Sequence, residues 1–312
     1  MSKANDGRGH GLRFGLAIGL TSLALTASAQ AAIVVNDSWV DAGRNNGTDP
    51  LDSNWWTSSS SAGIEVSAGS LGLVTGTSGR GIHTVFPTQT LANVGDKLVV
   101  TYTFTTPTTL TTASGAFKVG IFDTLARAGL DADITSSSSS PSPLYGYFAT
   151  PTAALPGYMM DMDVATGAED LVFRQHDTAQ TATTPTGRLL GTTTGFSAVG
   201  ATGPDGAYTF AANTTYTGSI TIERLNATEM GLTGTLGAAS HSVTDTFDSA
   251  DFGMLAFWAN SNTFGSSATA NTADNGIDFS NVTIEFVPVP EPTGAMLALV
   301  LAGFALRRGR RT

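Results

Sequence analysis

The chain is predicted to be all-β, a two-sheet antiparallel sandwich, and three observations predict it. Gly is 36 of 312 residues, runs of Thr and Ser recur, and only 13% of residues are charged. Thr suits a pleated, half-buried surface, while Gly and Ser suit turns. Apolar residues between Ala32 and Val287 alternate in short period-two runs bounded by Gly, Asn, Asp and Pro. Helix-building Glu, Lys and Gln are scarce.

In chain order the strands are expected at Ile64–Ser67, Leu71–Val74, Gly81–Phe86, Lys97–Phe104, Ala116–Phe122 and Tyr145–Phe148. They continue at Tyr158–Val164, Leu171–Gln175, Ser219–Leu225, Met230–Leu236, Ser242–Phe247, Met254–Asn260 and Ile277–Phe286. Asn226-Ala227-Thr228-Glu229 is a short polar link between two of them, which predicts a hairpin. Pro288 and Pro290 cannot continue a ladder and should stop the last strand. No linker or internal repeat divides this stretch, so residues 32–287 are expected to form one sandwich.

Charge and cysteine narrow the chemistry. Between Ala32 and Val287 there are eight basic against 23 acidic residues, a net charge near −15. Nucleic acid is an unsuitable partner for such a surface, because phosphate binding needs Lys and Arg to release counterions. There is no cysteine, so disulfides, thiolate metal sites and cysteine nucleophiles are excluded. Stability must come from an apolar core, and roughly 250 residues suffice for one.

The ends are different in kind. Lys3, Arg8 and Arg13 precede an uncharged run from Phe14 to Ala27, followed by Ala27-Ser28-Ala29 and Ala29-Gln30-Ala31. A basic start, a short apolar helix and an A-x-A site describe a secretory signal peptide, here residues 1–31, which signal peptidase would remove. At the other end, Pro290-Glu291-Pro292 precedes an uncharged run from Thr293 to Leu306, then Arg307, Arg308, Arg310 and Arg311. Such a helix would be about 21 Å long, short of a ~30 Å hydrocarbon core. The arginines would lie on the cytoplasmic side.

That tripeptide, short span and terminal arginine cluster resemble the PEP-CTERM sorting signal of Gram-negative bacteria, over residues 288–312. The resemblance implies a short C-terminal transmembrane helix, recognition by an exosortase, and a cell-surface or secreted destination associated with exopolysaccharide. Pro290, Glu291 and Pro292 would then be a substrate site, not a catalytic one.

The order of strands, closing on Asp278-Phe279-Ser280-Asn281-Val282-Thr283-Ile284, resembles concanavalin A-like jelly rolls of the lectin/glucanase and laminin-G-like group. The resemblance spans most of Val34 to Phe286 and implies that the last strand returns to pair near the first. A paired immunoglobulin-like sandwich is the alternative. Laminarinase-like enzymes of that fold carry an E-x-D-x-x-E strand. The matching positions here are Asp161, Asp163 and Thr166, and both outer glutamates are missing. Thr166 cannot replace a carboxylic acid in glycoside hydrolysis. No catalytic residue is therefore assigned, and a glycoside hydrolase or lyase is the alternative to a non-catalytic carbohydrate-binding module. A purely structural envelope protein is the third reading.

Binding candidates are aromatic. Trp55, Trp56 and Trp258, with Asn260, could stack on and hydrogen-bond to sugar rings. Trp55 and Trp56 are adjacent, so on a strand they face opposite ways and one should pack inside. No cofactor is expected. Asp131 and Asp133, and Asp274 and Asp278, offer the hard oxygens that calcium takes, without the spacing of an EF-hand loop. His83, His176 and His241 are isolated, with no zinc motif.

Overall fold

A computed structural model describes residues 30–45, 51–58, 63–75, 79–110, 116–133, 155–163, 171–176, 190–191, 193, 195–201, 203, 210–260, 264 and 276–290. The expected signal peptide up to Ala29, the strand at Tyr145–Phe148 and the tail from Glu291 onward lie outside the described residues. So does Asp274.

The strands are β1 (Ala32–Asp37), β2 (Trp55–Thr57), β3 (Ile64–Ser67), β4 (Ser70–Val74), β5 (Arg80–Thr90), β6 (Lys97–Thr105), β7 (Ala116–Phe122) and β8 (Gly157–Asp163). They continue as β9 (Leu171–His176), β10 (Phe196–Ala198), β11 (Thr215–Arg224), β12 (Glu229–Leu236), β13 (Ala239–Thr246), β14 (Asp251–Ala259) and β15 (Gly276–Val287). They form two sheets with antiparallel neighbours throughout. One has the order β13-β12-β11-β6-β15-β4-β3, with β1 also on β15; the other has the order β10-β9-β8-β7-β14-β5-β2. The all-β, two-sheet expectation holds among the described residues.

The last strand does pair with the first. Val282 to Phe286 of β15 lie against Asp37 to Ala32, while Gly276 to Phe279 lie against β4 on the same edge. A bulge at Ser280, where β15 shifts register against β6, separates the two halves. Val287 ends β15 directly before Pro288, and the Val289 amide donates to Asp96 Oδ1 at 2.8 Å.

The core lies between the sheets and is built by alternation. Leu98, Val100, Tyr102 and Phe104 of β6 are buried, while the residues between them are half-buried on the outer face. Aromatic rings bridge the layers: Phe104 meets Phe117 at 4.8 Å and Phe257 meets Phe279 at 4.5 Å between centroids. On the outer face of the eight-stranded sheet, hydroxyls pair across strands. Thr103 meets Thr217 at 3.0 Å, Thr105 meets Thr215 at 2.9 Å, and Ser219 meets Thr235 at 2.7 Å.

The seven-stranded sheet is different, because β7 and β14 are buried on both faces. A second apolar cluster covers part of its outer side, where Leu130, Leu155 and Leu190 from the loops pack on Phe122, Met159, Met254, Ala256 and Trp258. This covering layer decides which outward side chains meet water.

Candidate functional site

The outer face of the seven-stranded sheet carries the chemistry. Register places Trp56, His83, Ala256, Gly120, Met159 and Arg174 in one row across β2, β5, β14, β7, β8 and β9. The adjacent row runs Gly81, Trp258, Lys118, Asp161 and Val172. Paired residues of an antiparallel ladder share a face, so these side chains all point away from the inter-sheet core.

Three charged groups meet on that face. Asp161 Oδ2 accepts from Arg174 Nε at 3.2 Å, and Asp161 Oδ1 lies 3.8 Å from Lys118 Nζ. Their side chains are 14%, 25% and 7% exposed for Asp161, Arg174 and Lys118. Burial pushes the Lys118 ammonium below the usual lysine range; Asp161 opposes this and Arg174 adds to it. Asp161 is thus the centre of an ion cluster.

The predicted tryptophans separate. Trp55 is fully buried, stacks on Phe257 at 6.0 Å, and donates its indole N–H to Asp37 Oδ2 at 2.5 Å. It belongs to the core, out of reach of a sugar. Trp56 is half-buried on the outer face, 5.7 Å from the His83 ring. Trp258 also points outward but is only 5% exposed. Its ring lies over β5, where a Cβ on Gly79 would meet Cζ2 at 2.5 Å and one on Gly81 would meet Cε3 at 3.0 Å. Those two glycines let the indole lie flat against the backbone. Trp258 therefore forms a wall of the face, not an open platform. Asn260 follows β14 on the same alternation as Trp258, is half-buried, and its amide donates to the Ala116 carbonyl at 3.0 Å.

His83 is fully buried beneath the covering loop, with Nε2 2.8 Å from the Leu130 carbonyl. Burial lowers its pKa to about 4, so the imidazole is neutral at physiological pH. His176 is also buried, with Nδ1 2.7 Å from the Leu155 carbonyl and its ring 4.6 Å from Phe196. His241 lies apart on β13, 3.0 Å from the Ala201 carbonyl.

The calcium candidates change character. Arg44 donates to both oxygens of Asp133, at 2.9 and 2.7 Å, and the Thr57 amide donates to Oδ1 at 3.0 Å. That carboxylate is committed to Arg44 and to tying β2 to the loop after β7. Asp278 lies on β15 beside Gly72, where partial burial of its carboxyl raises its pKa and Glu65 adds to the rise. No group of three or more His, Asp or Glu among the described residues is arranged to hold a metal. No helix among them is long and apolar enough to cross a membrane. Pro290 is the last described residue and is exposed, while Glu291, Pro292 and the arginines lie beyond.

Lys118 and Arg174 were missed as site residues. Each is a single cation in an alternating strand, which reads as ordinary solvent-facing charge. Nothing local says that β7, β8 and β9 are neighbours in register.

No family model matches the chain, and no curated protein matches it in sequence. Several solved structures resemble it in fold. The metal-free carbohydrate recognition domain of Emp46p is 10% identical, with 80% of this chain and 94% of that one covered, at a TM-score of 0.45. Lectin II from Ulex europaeus is 8% identical, covering 83% and 98%, at 0.42. Porphyranase B from Zobellia galactanivorans is 12% identical, covering 82% and 93%, at 0.43. At these identities and scores none of them assigns a residue or a ligand here.

Proposed function

We propose that this chain is an exported cell-surface or matrix protein whose sandwich binds carbohydrate, without catalysis, through the outer face of its seven-stranded sheet. The observation that carries the binding part is the cluster of Lys118, Asp161 and Arg174, with Asn260 and, farther along the same face, Trp56. Sugars are recognised by charged and amide groups that bond their hydroxyls, next to an aromatic ring that packs on the apolar face of the pyranose. All of these groups lie on one face.

Export rests on the two ends of the sequence. Signal peptidase and an exosortase would be the processing enzymes, with Pro290, Glu291 and Pro292 as the sorting substrate and the arginine cluster holding the tail in the membrane until cleavage. Cell fractionation in an exosortase-bearing host should place the protein outside the inner membrane, and alanine at Pro290, Glu291 and Pro292 should instead hold it in the inner membrane. Release unchanged by that replacement would remove the sorting proposal.

Binding is tested with the purified full chain on a panel of immobilised neutral and charged polysaccharides. Retention on at least one, weakened by Trp56→Ala, is the expected result. A chain that passes every polymer unretarded would overturn the carbohydrate reading.

A further inference from the structure

The charge balance of the proposed face narrows its ligand, on the reading that it binds carbohydrate at all. Eight basic residues serve the whole of Ala32 to Val287 against 23 acidic ones. Two other cations among the described residues each have a carboxylate to themselves: Arg44 meets Asp133 at 2.7 Å and Lys97 meets Glu223 at 3.0 Å. Lys118 and Arg174 instead share a single carboxylate among the described residues, Asp161. The described side chains of this cluster therefore sum to one positive charge, on a strongly acidic domain.

The hydrogen-bonding capacity of the pair is also unspent. Arg174 reaches Asp161 through Nε at 3.2 Å, and no other hydrogen bond engages its two terminal amino groups among the described residues. Those two groups form the planar fork that matches a carboxylate or sulfate bidentately. The Lys118 ammonium carries three donors, and at 3.8 Å its carboxylate partner is beyond good hydrogen-bond length. An acceptor supplied from outside would complete both.

We infer that this face selects an anionic polysaccharide, binding a ring carboxylate or sulfate between Lys118 and Arg174. Strand order gives the site its length. Trp56 on β2 and Arg174 on β9 are five strand spacings apart, about 24 Å at ~4.8 Å per spacing. The covering layer of Leu130, Leu155 and Leu190 lies over the strands between them, so a polymer would pass outside that layer, with Trp56 meeting a ring distant from the one whose charge is read. The acidic remainder of the domain repels polyanions in general. Retention of one must then come from a local site.

The test is affinity electrophoresis of the full chain in gels containing polygalacturonate, its methyl ester, dextran sulfate or plain dextran. Retardation by polygalacturonate, dextran sulfate or both is expected, at least tenfold weaker for the methyl ester and plain dextran. The first two polymers distinguish carboxylate from sulfate. Lys118→Met and Arg174→Gln should each weaken retardation about tenfold, and Lys97→Gln, on the other sheet, should leave it unchanged. Asp161→Asn releases both cations and should strengthen retardation, which a merely destabilised fold would not do. Equal retardation by charged and neutral polymers, or indifference to all three site variants, overturns the anionic selectivity and leaves the carbohydrate reading standing. No retardation by any polymer overturns both.

Discussion

Asp37 and Trp55 are joined inside the sandwich by a 2.5 Å hydrogen bond from the indole N–H to the carboxylate. The Asp37 residue is 2% exposed, and burial raises its pKa to about 7, opposed by the bonds from Trp55 and the Ser53 amide. Asp52 nearby adds to the rise. The raised value means that the folded protein holds a proton that the unfolded chain gives up near pH 3.8. This contribution is fully present below that pH and is lost as pH rises through about 7.

Asp37→Asn should therefore flatten the fall of Tm between pH 4 and 7, because the amide keeps an acceptor for the indole without the charge. His83 works in the opposite sense. Its pKa is lowered to about 4, so its contribution is present above pH 6.5 and is lost as pH falls towards 4. Thermal melts of both proteins across pH 4 to 8 measure the difference, and parallel curves would refute the Asp37 assignment.

Gly81→Ala should destabilise and should also disturb the proposed site. The new Cβ would collide with Ser58 Oγ and lie 2.9 Å from the Phe257 carbonyl and 3.0 Å from Trp258 Cε3. Overpacking of this kind costs about 1–3 kcal/mol. Urea denaturation should show it, together with a changed tryptophan emission as the Trp258 indole is lifted from β5.

Phe257→Ala should cost about 3–5 kcal/mol in urea denaturation, the usual range for deleting a buried ring. Phe257 touches Trp55, Tyr102, Phe117 and Phe279, so the cavity would open in both layers at once. A loss under 1 kcal/mol would mean that the layers do not meet there.

Asp133→Asn should release the loop after β7 from β2. Burial alone would raise this carboxyl, yet the Arg44 side chain and the Thr57 amide hold it below the usual carboxylate range. Its stabilisation is present above about pH 3.8 and is lost as pH falls further. Since Arg44 and Asp133 are 32% and 24% exposed, a cost of about 1 kcal/mol is expected at neutral pH. Hydrogen exchange of the Thr57 amide should rise in the variant.

Much of the ladder was legible in the chain. The expected strands at Ile64–Ser67 and Ala116–Phe122 coincide with β3 and β7. The three missed elements are β1, β2 and β10, and two of them are three residues long, too short to display a period. They exist because a neighbouring strand supplies unpaired backbone groups. β5 was expected to end at Phe86, before Pro87, yet it runs to Thr90. Pro87 is tolerated because β2 covers only Ile82 to Thr84 on one side, and the partner on the other side bulges at Gly253.

Taken alone, the sequence determined the all-β class, the opposite facing of Trp55 and Trp56, and the stop of the last strand before Pro288. Those follow from local rules: side chains alternate, and proline lacks a ladder donor. Only the tertiary structure decided which tryptophan is reachable and which charges meet. Lys118, Asp161 and Arg174 come from three strands whose adjacency depends on sheet order. Trp258 is covered because Gly79 and Gly81, distant in the chain, leave room beneath its ring. Pairing partners are chosen by the packing of the whole core, and that choice leaves no local trace in the order of residues.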